Sequence, residues 1–146
     1  MQNVTEKNPL ILDEQMCFAL YATSRAITKK YAELLSELGV TYPQYLTLLA
    51  LWEKDGMGVH ELARALDMEG ATMTPLIQRM EKLGVVSRIR SDQDERRVNV
   101  FLTEKGKGLR AKALSVPPAL GCAIGVDEAK AKAIIAELRK IRDALK

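Results

Sequence analysis

The chain has 146 residues, and its 47% hydrophobic and 28% charged content is typical of one globular domain and excludes a disordered chain. The net charge of +3 is mild, but basic residues are concentrated between positions 88 and 112, which favours a partner with a phosphate backbone. Two cysteines and one histidine exclude a disulfide scaffold and an ordinary zinc site, so no metal is expected.

Hydropathy gives a further expectation about where the protein works. No apolar run approaches the ~20 residues of a membrane span. The N-terminal stretch MQNVTEKNPLILDEQ lacks the apolar core of a secretion signal. We therefore expect a cytoplasmic protein with no membrane partner, and both cysteines are expected to be free thiols.

The first predicted helix covers residues 13–38, with Asp13 as its N-cap and Gly39 at its end. A second helix begins near Tyr42 and has Pro43 in its first turn, where the missing N–H costs nothing. Apolar residues of the first helix recur at helical intervals: Met16, Leu20, Ile27, Tyr31, Leu34 and Leu38.

Residues 59–83 have the pattern of a helix-turn-helix motif. A short helix over 59–66 and a longer one over 70–83 are separated by a tight turn at 67–69. Ala63 is small at the point where two helices must cross closely. The predicted inner faces consist of Leu62, Ala63 and Leu66 in the first helix, and Met73, Leu76, Ile77, Met80 and Leu83 in the second.

Two short runs, VVSRIR and VNVFLT, alternate β-branched and polar residues, and the polar loop SDQDERR joins them as a hairpin. Thr103 is then expected to cap another helix, which the Pro- and Gly-rich residues 115–125 should break. Asp127 opens a last helix with apolar residues at Ile134, Leu138, Ile141 and Leu145.

Together these elements predict a mainly α fold with a small β-hairpin wing, arranged as one domain over residues 1–146. A winged helix-turn-helix lobe at 42–103 lies between dimerisation helices at 13–38 and 104–146. Reading two half-sites of DNA requires two-fold symmetry, so we expect a homodimer. The alternative is that the terminal helices pack on their own domain.

The segment DERRVNVFLTEKG, residues 94–106, resembles the wing motif of the multiple antibiotic resistance regulator (MarR) family. Within that family, residues 12–31 and 39–53 resemble the organic hydroperoxide resistance regulators (OhrR), with a second cysteine as in their two-cysteine type. The resemblance implies a transcriptional repressor that binds double-stranded operator DNA as a reduced homodimer. It implies neither an enzyme nor a cofactor.

The expected DNA-reading residues follow from this architecture. The N-terminal part of the second motif helix should enter the major groove and present Ala71, Thr72, Thr74, Pro75, Gln78 and Arg79. The resemblance implies that Arg96, held by Asp94, is the minor-groove arginine of the wing. Arg88 and Arg97 are expected to add backbone or structural contacts.

The resemblance also implies that Cys17 senses organic hydroperoxides, supported by Tyr31 and Tyr42, with Tyr21 one turn away. Fourteen residues of straight helix span about 21 Å, so Tyr31 cannot reach the Cys17 of its own chain. If Tyr31 serves a Cys17 thiol, that thiol belongs to the other subunit. Oxidised Cys17 would be a sulfenic acid.

The role of Cys122 is likewise implied by the resemblance, which makes it the resolving cysteine. It would attack the sulfenic acid of the other subunit and form an intersubunit disulfide that releases DNA. We expect Cys122 to lie in a flexible stretch before the last helix.

Several alternatives remain open at this point. Cys17 can instead be an inert core thiol, and Cys122 incidental. The repressor can respond to a small aromatic ligand in the dimer cleft. A thiol peroxidase is disfavoured because the chain has neither a CxxC motif nor a βαβ pattern.

Overall fold

The computed structural model describes residues 8–146, so the first seven residues of the predicted single domain lie outside it. The helices are α1 (Met16–Leu34), α2 (Tyr42–Glu53), α3 (Val59–Ala65), α4 (Gly70–Lys82), α5 (Glu104–Ala113), α6 (Val116–Ile124) and α7 (Glu128–Ala144). The strands are β1 (Met57–Gly58), β2 (Val86–Arg90) and β3 (Val98–Leu102). This mainly helical winged helix-turn-helix confirms the predicted fold class.

The predicted helix over residues 13–38 is wrong at both ends. A 3-10 turn, Leu12–Glu14, precedes α1, and the N-cap is Gln15 rather than Asp13. The backbone of Gln15 is extended, and its side-chain amide donates to the carbonyls of Pro9 and Ile11. Gln15 therefore separates the 3-10 turn from α1. A second 3-10 turn, Ser36–Leu38, follows α1, and Gly39 ends it in the left-handed conformation.

The second helix and the helix-turn-helix follow the sequence closely. Thr41 and Gln44 form a capping box at the start of α2, with Pro43 in the first turn. The helix-turn-helix has α3 and α4 within one residue of the predicted bounds. The predicted inner faces are buried except at Leu66, which is half-buried, and Leu83, which is exposed because it lies at the C-cap.

The wing is a three-stranded antiparallel sheet in the order β1-β3-β2, whereas the sequence predicted a two-stranded hairpin. The register pairs Val86 with Leu102 and Met57 with Val100. The two-residue β1 was missed because so short a strand carries no periodicity.

The region 115–125 is also corrected, because it forms helix α6 instead of breaking the helical order. Pro117 and Pro118 lie in the first turn, where a missing N–H is tolerated, and only Gly125, with φ +70°, ends the helix. Cys122 is therefore held in a helix and not in a flexible stretch. Thr103 and Asp127 cap α5 and α7 as predicted.

The core lies in the winged helix-turn-helix lobe, where residues of α2, α3, α4 and the sheet pack together. Trp52 is partly buried against this core, and its indole N–H donates to the carbonyl of Gly106 at 3.0 Å. By contrast, no residue of α1 or α7 is fully buried within this chain, although Tyr31 and Leu34 of α1 are partly buried against the core. The terminal helices thus present large surfaces that their own chain leaves uncovered.

Candidate DNA-binding surface and thiol site

Helix α4 has one buried and one exposed face. Met73, Leu76, Ile77 and Met80 are buried against the lobe. The opposite face is exposed and consists of the residues singled out from the sequence: Ala71, Thr72, Thr74, Pro75, Gln78 and Arg79. This face of α4 can therefore be approached by a partner from outside without any rearrangement of the core.

The turn between α3 and α4 is tight. Asp67 has φ +54°, a left-handed conformation that aspartate tolerates better than most residues. The amide of Met68 donates to the carbonyl of Ala63 at 2.8 Å, and Ala63 itself is buried where the helices cross. Small size at this position lets α3 and α4 approach closely, as the sequence predicted.

Glu81 connects helix α4 to the wing through hydrogen bonds. Its Oε1 accepts from Nε and Nη2 of Arg88 at 3.2 and 3.1 Å, and its Oε2 accepts from the Arg88 amide at 3.2 Å. Hydrogen bonds from the Arg88 side chain and then its backbone lower the pKa of Glu81. The guanidinium of Arg88 therefore has a structural partner in this chain.

Asp94 shapes the tip of the wing through the backbone. Its Oδ1 accepts from the amide of Arg96 at 3.1 Å, and its carbonyl accepts from the amide of Arg97 at 2.9 Å. Asp94 thus holds the main chain of Arg96, and the side chains of Arg96 and Arg97 are both exposed.

The first cysteine lies at the start of α1. Cys17 is the second residue of the helix, and its side chain is an exposed free thiol. Tyr21, one turn later, accepts a hydrogen bond from Nη1 of Arg25 at 3.3 Å, and the guanidinium carbon of Arg25 lies 5.5 Å from the ring centroid. The Tyr21 hydroxyl is therefore engaged one turn farther along α1, away from Cys17.

Three tyrosines cluster at the other end of α1. The rings of Tyr31 and Tyr42 stack with centroids 4.4 Å apart, and the Tyr45 centroid lies 5.7 Å from that of Tyr31. Because α1 is unbroken from Met16 to Leu34, about 21 Å separate positions 17 and 31 along its axis. The structure joins Tyr31 to Tyr42 and keeps both apart from the Cys17 of the same chain.

Tyr45 was not predicted from the sequence to belong to this cluster. It lies three residues after Tyr42, so both project from one face of α2, and this spacing was the available signal. Tyr45 is 2% exposed and anchors the cluster to the core.

Burial raises the pKa of Tyr31 to about 12, and the neighbouring Tyr42 and Tyr45 contribute to this rise by repelling a phenolate. Burial likewise raises the pKa values of Tyr42 and Tyr45. All three hydroxyls therefore remain protonated at neutral pH and can donate hydrogen bonds to an anion.

The raised pKa of Tyr31 predicts a loss of stability in alkali. Its contribution is complete below pH 10.0, where phenols are protonated in both states, and is lost as pH rises toward about 12. We expect urea unfolding of the wild type to show a steeper loss of free energy over this range than Tyr31→Phe. Identical alkaline profiles would contradict the assignment.

The second cysteine faces away from its own α1. Leu120, Gly121, Ala123 and Ile124 of α6 line grooves against α1, whereas Cys122 lines neither groove and is exposed. Given the helical spacing, Cys122 lies on the opposite side of α6. Its thiol is thus presented outward from the subunit.

An apolar groove of about 460 Å³ lies between α1, α6 and α7. Its walls include Met16, Leu20 and Ile27 of α1, which belong to the apolar stripe predicted from the sequence. On α7, Ile134, Ile135 and Leu138 are 45%, 47% and 40% exposed. An apolar face of this kind is typical of a protein–protein interface.

Neither a membrane-spanning helix nor a metal-binding cluster is found among residues 8–146. No helix there combines the length and apolar character needed to cross a membrane. Within the same residues, no group of three His, Cys, Asp or Glu side chains is arranged to hold a metal ion.

Comparisons with known proteins agree with this geometry. A family model described as transcriptional regulator SarA/Rot matches residues 29–112. The organic hydroperoxide resistance transcriptional regulator of Bacillus subtilis is 41% identical over 134 residues, covering 92% of this chain and 86% of that protein. The chain belongs to the MarR family of transcriptional regulators, in its OhrR branch.

Two further relatives support this placement of the MarR-type regulator. The regulator TtmR of Methylorubrum extorquens is 41% identical over 145 residues, covering 99% of this chain and 74% of TtmR. The structure of reduced AbfR bound to DNA, a protein of Staphylococcus epidermidis, superposes with a TM-score of 0.77 at 33% identity. That match covers 92% of this chain and 94% of AbfR.

Proposed function

We propose that this regulator is a homodimeric repressor whose DNA binding is switched off when an organic hydroperoxide oxidises Cys17. One observation carries the proposal. Cys17 and the Tyr31–Tyr42 stack lie at opposite ends of one unbroken helix. When two such helices run antiparallel across a dimer, the tyrosines of each subunit lie beside the Cys17 of the other.

The homodimer is supported by the apolar groove between α1, α6 and α7. Its exposed walls would be covered by the same surface of a second copy, which gives a two-fold symmetric interface. Such a dimer would also place two copies of α4 at the spacing of successive DNA half-sites. The sensor and the DNA-reading helices would then be coupled through one interface.

In the first chemical step, the Cys17 thiolate attacks the distal oxygen of the hydroperoxide. The O–O bond breaks, sulfur is oxidised to a sulfenic acid, and the leaving alkoxide takes up a proton to become an alcohol. The protonated hydroxyls of Tyr31 and Tyr42 in the other subunit would donate hydrogen bonds to the reacting anion. Exposed apolar neighbours, Met16 and Phe18, suit a hydrocarbon tail.

In the second step, the thiol of Cys122 from the other subunit attacks the sulfenic sulfur. A disulfide forms and water leaves, carrying the sulfenic oxygen. Cys122 is an exposed free thiol on α6, so a cysteine of another subunit can react with it once the two are brought together. Forming the disulfide would draw α6 toward the Cys17 of the other subunit, and we propose that this movement changes the spacing of the two DNA-reading lobes.

The relatives support the redox part of the proposal. The Bacillus subtilis relative is named for organic hydroperoxide resistance. AbfR has been solved reduced on DNA and in a disulfide form, and this chain matches the former with a TM-score of 0.77 and the latter with 0.66. Overoxidized AbfR bound to DNA matches with a TM-score of 0.76, so the present conformation is more similar to the DNA-bound states of that relative than to its disulfide form.

In the DNA complex, the exposed face of α4 would read an inverted-repeat operator. Gln78 and Arg79 would contact base edges, while Thr72, Thr74 and Pro75 would lie at the phosphates. Arg96 and Arg97, at the wing tip shaped by Asp94, would reach the neighbouring groove, and Arg88 would support them from its pair with Glu81. We also propose that this regulator works in the cytoplasm.

Non-reducing gel electrophoresis with cumene hydroperoxide tests the mechanism. We expect a dimer-sized band in the wild type that disappears in Cys17→Ser and in Cys122→Ser, together with release of a DNA duplex selected from a random pool. Release of DNA without the band would remove Cys122 from the mechanism. No change in either would remove the redox switch.

A second candidate function is a repressor released by a small aromatic ligand. A cavity of about 360 Å³ between α2 and α5 is lined by Tyr45, Trp52 and Arg110, among others. Glu53 also lines this cavity, so its aromatic walls are accompanied by one acidic and one basic side chain, a combination that suits a small aromatic ligand with polar groups. Ligand-dependent release of DNA that survives in Cys17→Ser would favour this candidate.

A further inference from the structure

We propose that His60 is a proton-sensitive anchor for the DNA backbone, seated where the helix-turn-helix meets the wing. A groove of about 200 Å³ opens there, lined by Val59 and His60 of α3, Thr74 and Ile77 of α4, and Arg88, Arg96 and Val98 of the wing. The inference rests on the proposed DNA binding. It adds a residue, a ligand group and a pH dependence to that function.

The side chains that line the groove are typical of a phosphate-binding site. Val59, Ile77 and Val98 form its apolar wall, and its remaining side chains carry hydrogen-bond donors: an imidazole, a hydroxyl and two guanidinium groups. The Thr74 hydroxyl donates to the Gly70 carbonyl, and Arg88 is paired with Glu81. The imidazole of His60 and the guanidinium of Arg96 are therefore the groups that would bind a phosphate. No carboxylate lines it. It borders the exposed face of α4 at Thr74, so DNA bound to that face would pass directly over it.

His60 is placed to bridge the groove and the start of α4. Its Nδ1 lies 3.9 Å from the position that a Cβ on Gly70 would occupy, so the imidazole packs beside the first turn of that helix. The N-cap residue Glu69 makes no side-chain cap hydrogen bond, which leaves the first amides of α4 without a side-chain acceptor. A phosphate oxygen in the groove would be close to these donors as well.

The charges around His60 determine whether its protonation strengthens or weakens DNA binding. Arg88 and Arg96 face it from the wing, and Glu81 of α4 is already hydrogen-bonded to Arg88. Four other charged residues belong to α3 and the turn that follows it. Glu61 is paired with Lys54, and Arg64, Asp67 and Glu69 are exposed. A phosphate group in the groove attracts a charged imidazole more strongly than a neutral one, so DNA would bind the protonated form of the protein more tightly.

Protonation of His60 and DNA binding should therefore reinforce each other, because linkage is reciprocal. Histidine is the residue type that gains its charge between about pH 8 and pH 5, and this chain has one histidine. A proton-dependent gain in DNA affinity in this range that is lost in His60→Gln can thus be assigned to that side chain.

Fluorescence anisotropy with a labelled duplex of mixed sequence, under reducing conditions, tests the inference. We expect the wild type to bind about tenfold more tightly near pH 6 than near pH 8. His60→Gln keeps a donor but gains no charge, so its affinity should be independent of pH. His60→Arg should bind tightly at both values, and Lys132→Gln, on α7, should keep the wild-type pH dependence.

Circular dichroism establishes that each variant is folded before binding is compared. A His60→Gln protein that retains the wild-type pH dependence would overturn the role of His60 and leave DNA binding intact. A wild type that binds no duplex at either pH would instead overturn the proposed function, and this inference with it.

Discussion

Cys17→Ser is expected to abolish the response to organic hydroperoxides while leaving DNA binding unchanged. A serine hydroxyl is not a nucleophile toward peroxide without an activating base, and no oxidised sulfur can then form. The wild type should lose several protein–DNA contacts on oxidation, each of about 1–3 kcal/mol, so its affinity should fall by roughly a thousandfold. The affinity of Cys17→Ser should change less than about twofold under the same treatment.

Cys122→Ser is the matched control, because it removes the other exposed thiol of the chain. It should still be oxidised at Cys17, which mass spectrometry detects as a sulfenic acid trapped by dimedone. Release of DNA from Cys17→Ser by cumene hydroperoxide would show that the sensing thiol lies elsewhere.

Gly106→Ala is expected to destabilise the fold strongly, although it adds only one methyl group. A Cβ at Gly106 would clash with the carbonyl oxygen of Val85, which is a backbone atom and cannot rotate away as a side chain can. Relief of the clash would separate α5 from the wing and weaken the hydrogen bond from Trp52 to the Gly106 carbonyl. We expect a loss of about 3 kcal/mol or more, with a fall in Tm of the order of 10 °C.

Gly108→Ala, in the same helix, is the control for Gly106→Ala. Nothing lies within 4 Å of a Cβ at that position, so the substitution should stabilise α5 by about 0.5–1 kcal/mol. Thermal unfolding followed by circular dichroism compares the two. Equal midpoints would contradict the close approach of α5 to Val85.

The elements that the sequence predicted well are those with strong local signals. The capping box of Thr41 and the apolar spacing of Met73, Ile77 and Met80 specify α2 and α4 without help from distant contacts. Weaker signals failed. Asp13 is a good N-cap residue, yet Gln15 took the position through two side-chain hydrogen bonds to backbone carbonyls before it.

The misassignment around Cys122 has a similar cause. Proline and glycine suggested a broken segment, but two prolines at the start of a helix and one glycine after its end are also helix boundaries. The distinction depends on packing of α6 against α1, which is not visible in local composition.

For the candidate site, the sequence pointed to individual residues but not to the contacts between them. The resemblance implied Tyr31 and Tyr42, and helix geometry separated Tyr31 from the Cys17 of the same chain. The sequence did not show that these rings stack, that Tyr45 supports them, or that Arg88 is held by Glu81. These features arise from long-range packing between elements.

The most direct test of the intersubunit sensor is a mixed dimer in which the two halves of one site come from different subunits. One chain carries Cys17→Ser, and the other carries Tyr31→Phe together with Tyr42→Phe. An intersubunit site pairs the remaining Cys17 with intact tyrosines, so stopped-flow oxidation by cumene hydroperoxide should proceed at the wild-type rate with half the number of thiols. Oxidation at the slow rate of the double-phenylalanine homodimer would contradict the intersubunit site.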